Sequence, residues 1–128
     1  MAKRQSINGS RARHENPIPN ASRIGNIVMS SIIGGANPGT RDLPATLEAQ
    51  VANVFGYIRH DIEAAGGTVD DIIKVNFYVK DPVNQRAALN GEWVKMFPDP
   101  EARPARYTQQ LPADSRAMVQ ADFIAVIT

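Results

Sequence analysis

Arg106, Asn90 and Asp122 are the residues through which this sequence can do chemistry. Arg106 stands near the end of FPDPEARPARY (97–107), where Pro98, Pro100 and Pro104 lack backbone donors and fix φ, so a preceding helix must stop and a rigid loop follows. Tyr107, Thr108 and Gln110 favour or tolerate extended structure, which puts Arg106 at the start of a strand. A guanidinium anchored there can meet a carboxylate through two parallel hydrogen bonds. The alternative is a surface arginine paired with Glu101 or Asp99, a common and weak arrangement. Asn90 falls on an apolar helical stripe, and its amide is either a bridge to backbone or a ligand contact. Asp122 is an acid on a strand face that also holds Ile124 and Val126. Beside Arg106 it is either an ion pair or a catalytic pair.

The rest of the inventory narrows the chemistry. Without cysteine there is no disulfide, thiolate nucleophile or zinc–thiolate site. His14 and His60 stand alone in their neighbourhoods, so neither a metal site nor a histidine-based triad is supported, and Ser30 and Ser31 have no visible base. An arginine, an amide and a carboxylate suit binding a small carboxylated molecule and managing one water, with no cofactor.

Several elements must position these groups. Leu47, Val51, Val54, Ile58, Ile62 and Ala65 recur at three- and four-residue steps, which predicts a long helix from Asp42 to Ala65, with Asp42 as cap, Pro44 in the first turn and Gly66-Gly67 ending it. Gly25-Asn26 opens a buried strand over 23–31, and a short strand is expected around Gln5 to Asn8. The glycines of 32–40 match no nucleotide-binding fingerprint, and the segment is expected as a loop. Ile73, Val75, Phe77 and Val79 alternate with Lys74, Asn76, Tyr78 and Lys80, as in a strand with one face on the helices. Asp81-Pro82 is expected to start a second helix with Val83, Ala87, Asn90, Val94 and Phe97 on one side. Strands over 107–111 and 116–127, joined by a turn at 112–115, are expected to pair as an antiparallel hairpin that brings Asp122 towards Arg106.

At 128 residues the chain is expected to be one domain, 1–128, with a basic, partly irregular segment over 1–20. Fourteen Lys and Arg against thirteen Asp and Glu leave a net charge of +1, too balanced for a phosphate-seeking surface, which argues against nucleic acid as partner. No apolar run is long enough to span a bilayer, and the basic start has no apolar stretch behind it, so a cytoplasmic protein is expected.

The chain order resembles the Rid superfamily, the reactive intermediate deaminases. The resemblance rests on Gly25-Asn26 with its strand, Gln50 and Asn53, Ala64-Ala65-Gly66-Gly67, the segment 77–81, Asn90, Met96-Phe97-Pro98, Pro104-Ala105-Arg106 and the closing stretch 122–126, and it spans roughly residues 17–127. It implies a chorismate-mutase-like α+β fold, a mixed sheet packed on two helices, assembling as a homotrimer with clefts between subunits. It also implies that Arg106 binds the carboxylate of a 2-imino or 2-enamino acid and that Asp122, standing where a glutamate is usual, handles the hydrolytic water. Asn90 matches the helix asparagine, Tyr107 and Thr108 would line the cleft, and the product would be ammonia and a 2-keto acid.

Ile18 stands where a tyrosine is usual, and Ser31-Ile32-Ile33 where Ser-Gly-Gln is usual, so Ile18, Ser31 and Ile33 would make a more apolar wall. That wall suits another enamine such as 2-aminomuconate, or a carboxylate that is bound and never turned over. A ribonuclease is disfavoured, because no histidine, lysine or carboxylate cluster accompanies Arg106.

Overall fold

The chain forms a mixed α+β structure in which, among the described residues, one mixed sheet carries two α-helices. The computed structural model describes residues 3–9 and 14–128. Among these the strands are β1 (Gln5–Ile7), β2 (Ala21–Ile24), β3 (Ile27–Ser30), β4 (Ile33–Gly34), β5 (Ile72–Val79), β6 (Ala105–Gln110) and β7 (Val119–Val126). The helices are α1 (Leu47–Ala64) and α2 (Arg86–Met96), with a 3₁₀ turn, Val69–Asp71, leading into β5. The sheet runs β1-β2-β3-β7-β5-β6, and β4 pairs with β7.

Helix α1 has the expected stripe: Val51, Val54, Ile58, Ile62 and Ala65 are buried against the sheet. Its start differs. Pro44 drives the residue before it into extended backbone, so no helix can form across Leu43-Pro44. Thr46, not Asp42, is the cap, its hydroxyl accepting from the Ala49 amide at 3.2 Å. At the other end Gly66 takes φ 96°, and the Gly66 and Gly67 amides donate to the Glu63 and Ile62 carbonyls, closing the helix with a Schellman motif.

The strand expected over 23–31 is two strands, β2 and β3, turning at Gly25-Asn26 with Gly25 at φ 56°. It is half-buried rather than buried: Val28 is enclosed, while Ile24, Ile27 and Met29 are each about half exposed on the face away from the helices. In β5 the pairing with β7 shifts register between Ile72 and Lys74. Ile72 therefore takes the buried position expected of Ile73, which is exposed.

Two expectations around the second helix fail. Asp81 caps a turn, accepting from the Asn84 amide and side chain, but α2 begins only at Arg86. That turn resets the helical phase. The buried side is Leu89, Trp93 and Phe97, while Val83 and Val94 face solvent and Asn90 is exposed. The hairpin of the last two strands is absent too. A turn exists at 112–115, with Ser115 N donating to Pro112 O, yet β5 lies between β6 and β7. β5, α2 and β6 form a parallel crossover, so β6 pairs with β5, and β7 joins β5 antiparallel from the other side.

Gln50, fully buried on α1, ties the layers together. Its amide nitrogen donates to Pro44 O at 2.8 Å and its oxygen accepts from Met118 N at 3.0 Å. Gln50→Leu keeps the volume and strands both backbone groups, so urea unfolding is expected to show a loss of about 2 kcal/mol or more. An unchanged midpoint would show that water replaces both bonds.

Candidate functional site

Arg106 is the second residue of β6, an edge strand, and its side chain turns to the helix face of the sheet. Nη1 donates to Asn90 Oδ1 on α2 at 2.8 Å. The guanidinium carbon lies 5.5 Å from the Phe77 ring centre and 5.2 Å from that of Trp93, within cation–π range. Phe77, Trp93 and Phe97 pack edge to face, which makes that support rigid. Neither Glu101 nor Asp99 pairs with Arg106, and among the described residues no carboxylate lies within salt-bridge distance of it.

The guanidinium faces a cavity of 120 Å³ lined by Pro82, Arg86, Leu89, Arg106 and Thr108. Thr108 shares the helix face with Arg106, two residues further along β6. Burial first, and then the like charge of Arg86, lower the Arg106 pKa from its ordinary value. A partly desolvated cation held by an amide and two rings, with no carboxylate partner among the described residues, has the chemistry to meet an external carboxylate.

Asp122 is elsewhere. In the β5–β7 register it faces Asn76, whereas Arg106 faces Val75, and neighbouring register positions point to opposite sides of the sheet. Within one chain the two are therefore not an ion pair, and the expected approach through a hairpin does not occur. Asn76 Nδ2 donates to one Asp122 oxygen at 2.7 Å and the Tyr78 hydroxyl to the other at 2.8 Å. That hydrogen bond to Asp122, and then burial, raise the Tyr78 pKa above the usual phenol value, so Tyr78 stays a proton donor to the carboxylate at neutral pH.

The remaining candidates fall into separate places. Ser31 is half-buried just past β3, its hydroxyl donating to Pro19 O at 2.7 Å. Ile18 is partly exposed and lines a different cavity with His14 and Asn16. Ile33 is completely enclosed in the core and paired with Ala121, so its side chain offers nothing to a ligand. Its segment, expected as a loop, contains strand β4. Tyr107 is exposed on the face away from Arg106. One chain thus unites Arg106, Asn90 and Thr108 in one site and puts Asp122 on the far face of the sheet.

A family model described as Endoribonuclease L-PSP matches residues 10–127. The chain belongs to this family. The resemblance to the Rid superfamily therefore holds. Among curated relatives of the family, a "RutC family protein" of Haemophilus influenzae is 34% identical over 110 residues, covering 82% of this chain and 84% of its own. A protein of Escherichia coli named 2-iminobutanoate/2-iminopropanoate deaminase is 32% identical over 102 residues, covering 77% and 79%. The crystal structure of RidA from an Antarctic Psychrobacter superposes with a TM-score of 0.85 at 30% identity, covering 96% of this chain and 99% of that one. Among the described residues no helix is long and apolar enough to cross a membrane.

Sequence patterns missed Arg86. Its position after Asp81-Pro82 suggested only a helix start, and its convergence on Arg106 depends on the parallel crossover. The one local sign was a cation in a first helical turn that holds no acid, the end where the helix dipole favours acids.

Proposed function

We propose that this protein hydrolyses short 2-imino or 2-enamino carboxylates to 2-keto acids and ammonia. The observation that carries the proposal is the unpaired, aromatic-backed Arg106 guanidinium at the mouth of a small cavity. Arg106 takes the substrate carboxylate in its planar fork, while Asn90 holds the fork in register. Thr108 lies at the cavity wall, where its backbone can bracket the imine end.

Water handling then falls to Asp122, brought from a neighbouring copy, because the two groups face away from each other within one chain. As water adds to the C=N carbon, the carboxylate accepts one water proton and returns it to nitrogen. The carbinolamine hydroxyl then gives its proton to nitrogen as the C=O bond forms, the C–N bond breaks and ammonia leaves. Little acceleration beyond orientation and a proton shuttle is needed, since the imine is already reactive.

Assembly as a homotrimer with clefts at the subunit seams accounts for both requirements. The sheet face away from the helices exposes Ile24, Ile27 and Met29 around a 340 Å³ apolar depression, and an apolar sheet face of this kind calls for a cover. The cysteine-free sequence suits a reducing, cytoplasmic setting.

The test is ammonia release from freshly generated 2-iminobutyrate. Acceleration above the spontaneous rate that disappears in Arg106→Ala is expected. A second reading, a carboxylate-binding module of the same architecture, is favoured by the absence of any acid or base among the residues lining the Arg106 cavity. No acceleration, together with saturable binding of 2-oxobutyrate, would select it. Those same lining residues include no histidine, lysine or carboxylate for cleaving RNA.

A further inference from the structure

Two guanidiniums, not one, converge on the cavity at the β6 edge. Arg86 and Arg106 both line its 120 Å³, and the remaining lining residues, Pro82, Leu89 and Thr108, carry no charge. Neither arginine has a carboxylate within salt-bridge distance among the described residues. Asp81, the nearest acid in sequence to Arg86, directs its two oxygens to the Asn84 amide and side chain instead.

Arg86 is also badly placed for stability. It is the first residue of α2, where the exposed amides and the helix dipole disfavour a cation, and no acid in the first turn offsets it. Arg86 further makes the Arg106 cation less favourable by like-charge repulsion. Two uncompensated cations and the positive end of an eleven-residue helix raise the potential at one small opening. A singly charged ligand would leave one of the two cations without a counter-charge; a ligand with two separated negative groups matches both.

We infer that Arg86 is a specificity-determining residue that turns the Arg106 cavity into a site for short dicarboxylates, so that the preferred substrate is the imine or enamine of a 2-keto dicarboxylic acid. This rests on Arg106 as the carboxylate anchor and extends that assignment to the far end of the ligand. One carboxylate sits in the Arg106 fork; the second is met by Arg86 across the cavity. The small volume favours a chain of about four carbons over a longer one.

The test compares two stable four-carbon acids, succinate and butyrate, by titration calorimetry at low salt. Succinate is expected to bind the native protein about 10-fold more tightly or better, the scale of one added charge-assisted hydrogen bond. In Arg86→Gln the succinate-to-butyrate affinity ratio is expected to collapse towards one. In Arg86→Lys, which keeps the charge, part of the preference survives, and in Lys95→Gln, on the outer side of α2, the ratio stays at the native value.

Equal affinities in the native protein, or a ratio unmoved by Arg86→Gln, overturn the inference while leaving the anchor role of Arg106 standing. Tighter binding of inorganic phosphate than of succinate would overturn it in favour of one doubly charged centre held by both arginines. Binding of neither acid would remove the anchor and the inference together. Ammonia release from the imines of aspartate and 2-aminobutyrate, measured in parallel, tests turnover separately. Preferential succinate binding without any ammonia would sink the deaminase and keep the dicarboxylate site.

Discussion

Arg106→Lys is expected to lower kcat/KM for 2-iminobutyrate roughly 100-fold, although the charge is retained. Lysine replaces a planar fork with a point charge, so one of two parallel hydrogen bonds to the carboxylate is lost, about 1.5–3 kcal/mol for a charge-assisted bond. It also gives up the flat contact with Phe77 and Trp93 and the donation to Asn90 Oδ1, which together set the direction of the guanidinium. The folded state should be little affected, because the residue is only partly buried, on an edge strand. Steady-state kinetics beside a circular dichroism spectrum checks this. Native-like turnover in a folded Arg106→Lys would mean that the site needs only a positive charge, and the bidentate anchor would have to be given up.

Asp122→Asn is expected to reduce kcat about 100-fold while changing the affinity for 2-oxobutyrate only slightly, as befits the loss of a proton carrier rather than of a binding group. Asparagine can keep the contacts to Asn76 and Tyr78 approximately in place, so the strand pairing around it should survive. The more searching experiment mixes the two inactive variants. Arg106 and Asp122 face opposite sides of the sheet in one chain, so the proposed mechanism requires a cleft that draws them from different copies. In a randomly co-assembled mixture of Arg106→Lys and Asp122→Asn chains, about a quarter of the clefts then combine a native arginine with a native aspartate. Activity should reappear on mixing. Oligomers verified to contain both chains yet still inactive would show that the two groups do not serve one cleft in this way.

These expectations depend on features of unequal visibility in the amino-acid order. The stripe from Val51 to Ala65, the helix stop at Gly66, the exclusion of helix by the prolines before Arg106 and the placement of Arg106 at a strand's beginning all follow from local rules. Each involves residues a few positions apart, where backbone sterics and helical or extended periodicity decide. Local rules also erred where a short feature reset the phase. The turn at 81–85 rotated α2 so that Leu89 and Trp93, not Val83 and Val94, face the core, and the register shift near Ile73 exchanged the roles of two isoleucines.

Strand partners were beyond such rules. Alternation along β7 shows that Asp122 and Ile124 share a face, but nothing in it says that β5 rather than β6 lies alongside. The chain's own order therefore established the chemical parts: one arginine made rigid by prolines, an amide on the preceding helix and one acid in the last strand. Tertiary structure alone decided that Arg86 joins Arg106 over one cavity and that Asp122 turns away on the opposite face. Pairing is settled by which apolar faces can be buried together at long sequence separation, and that balance belongs to the assembled sheet rather than to any segment of it.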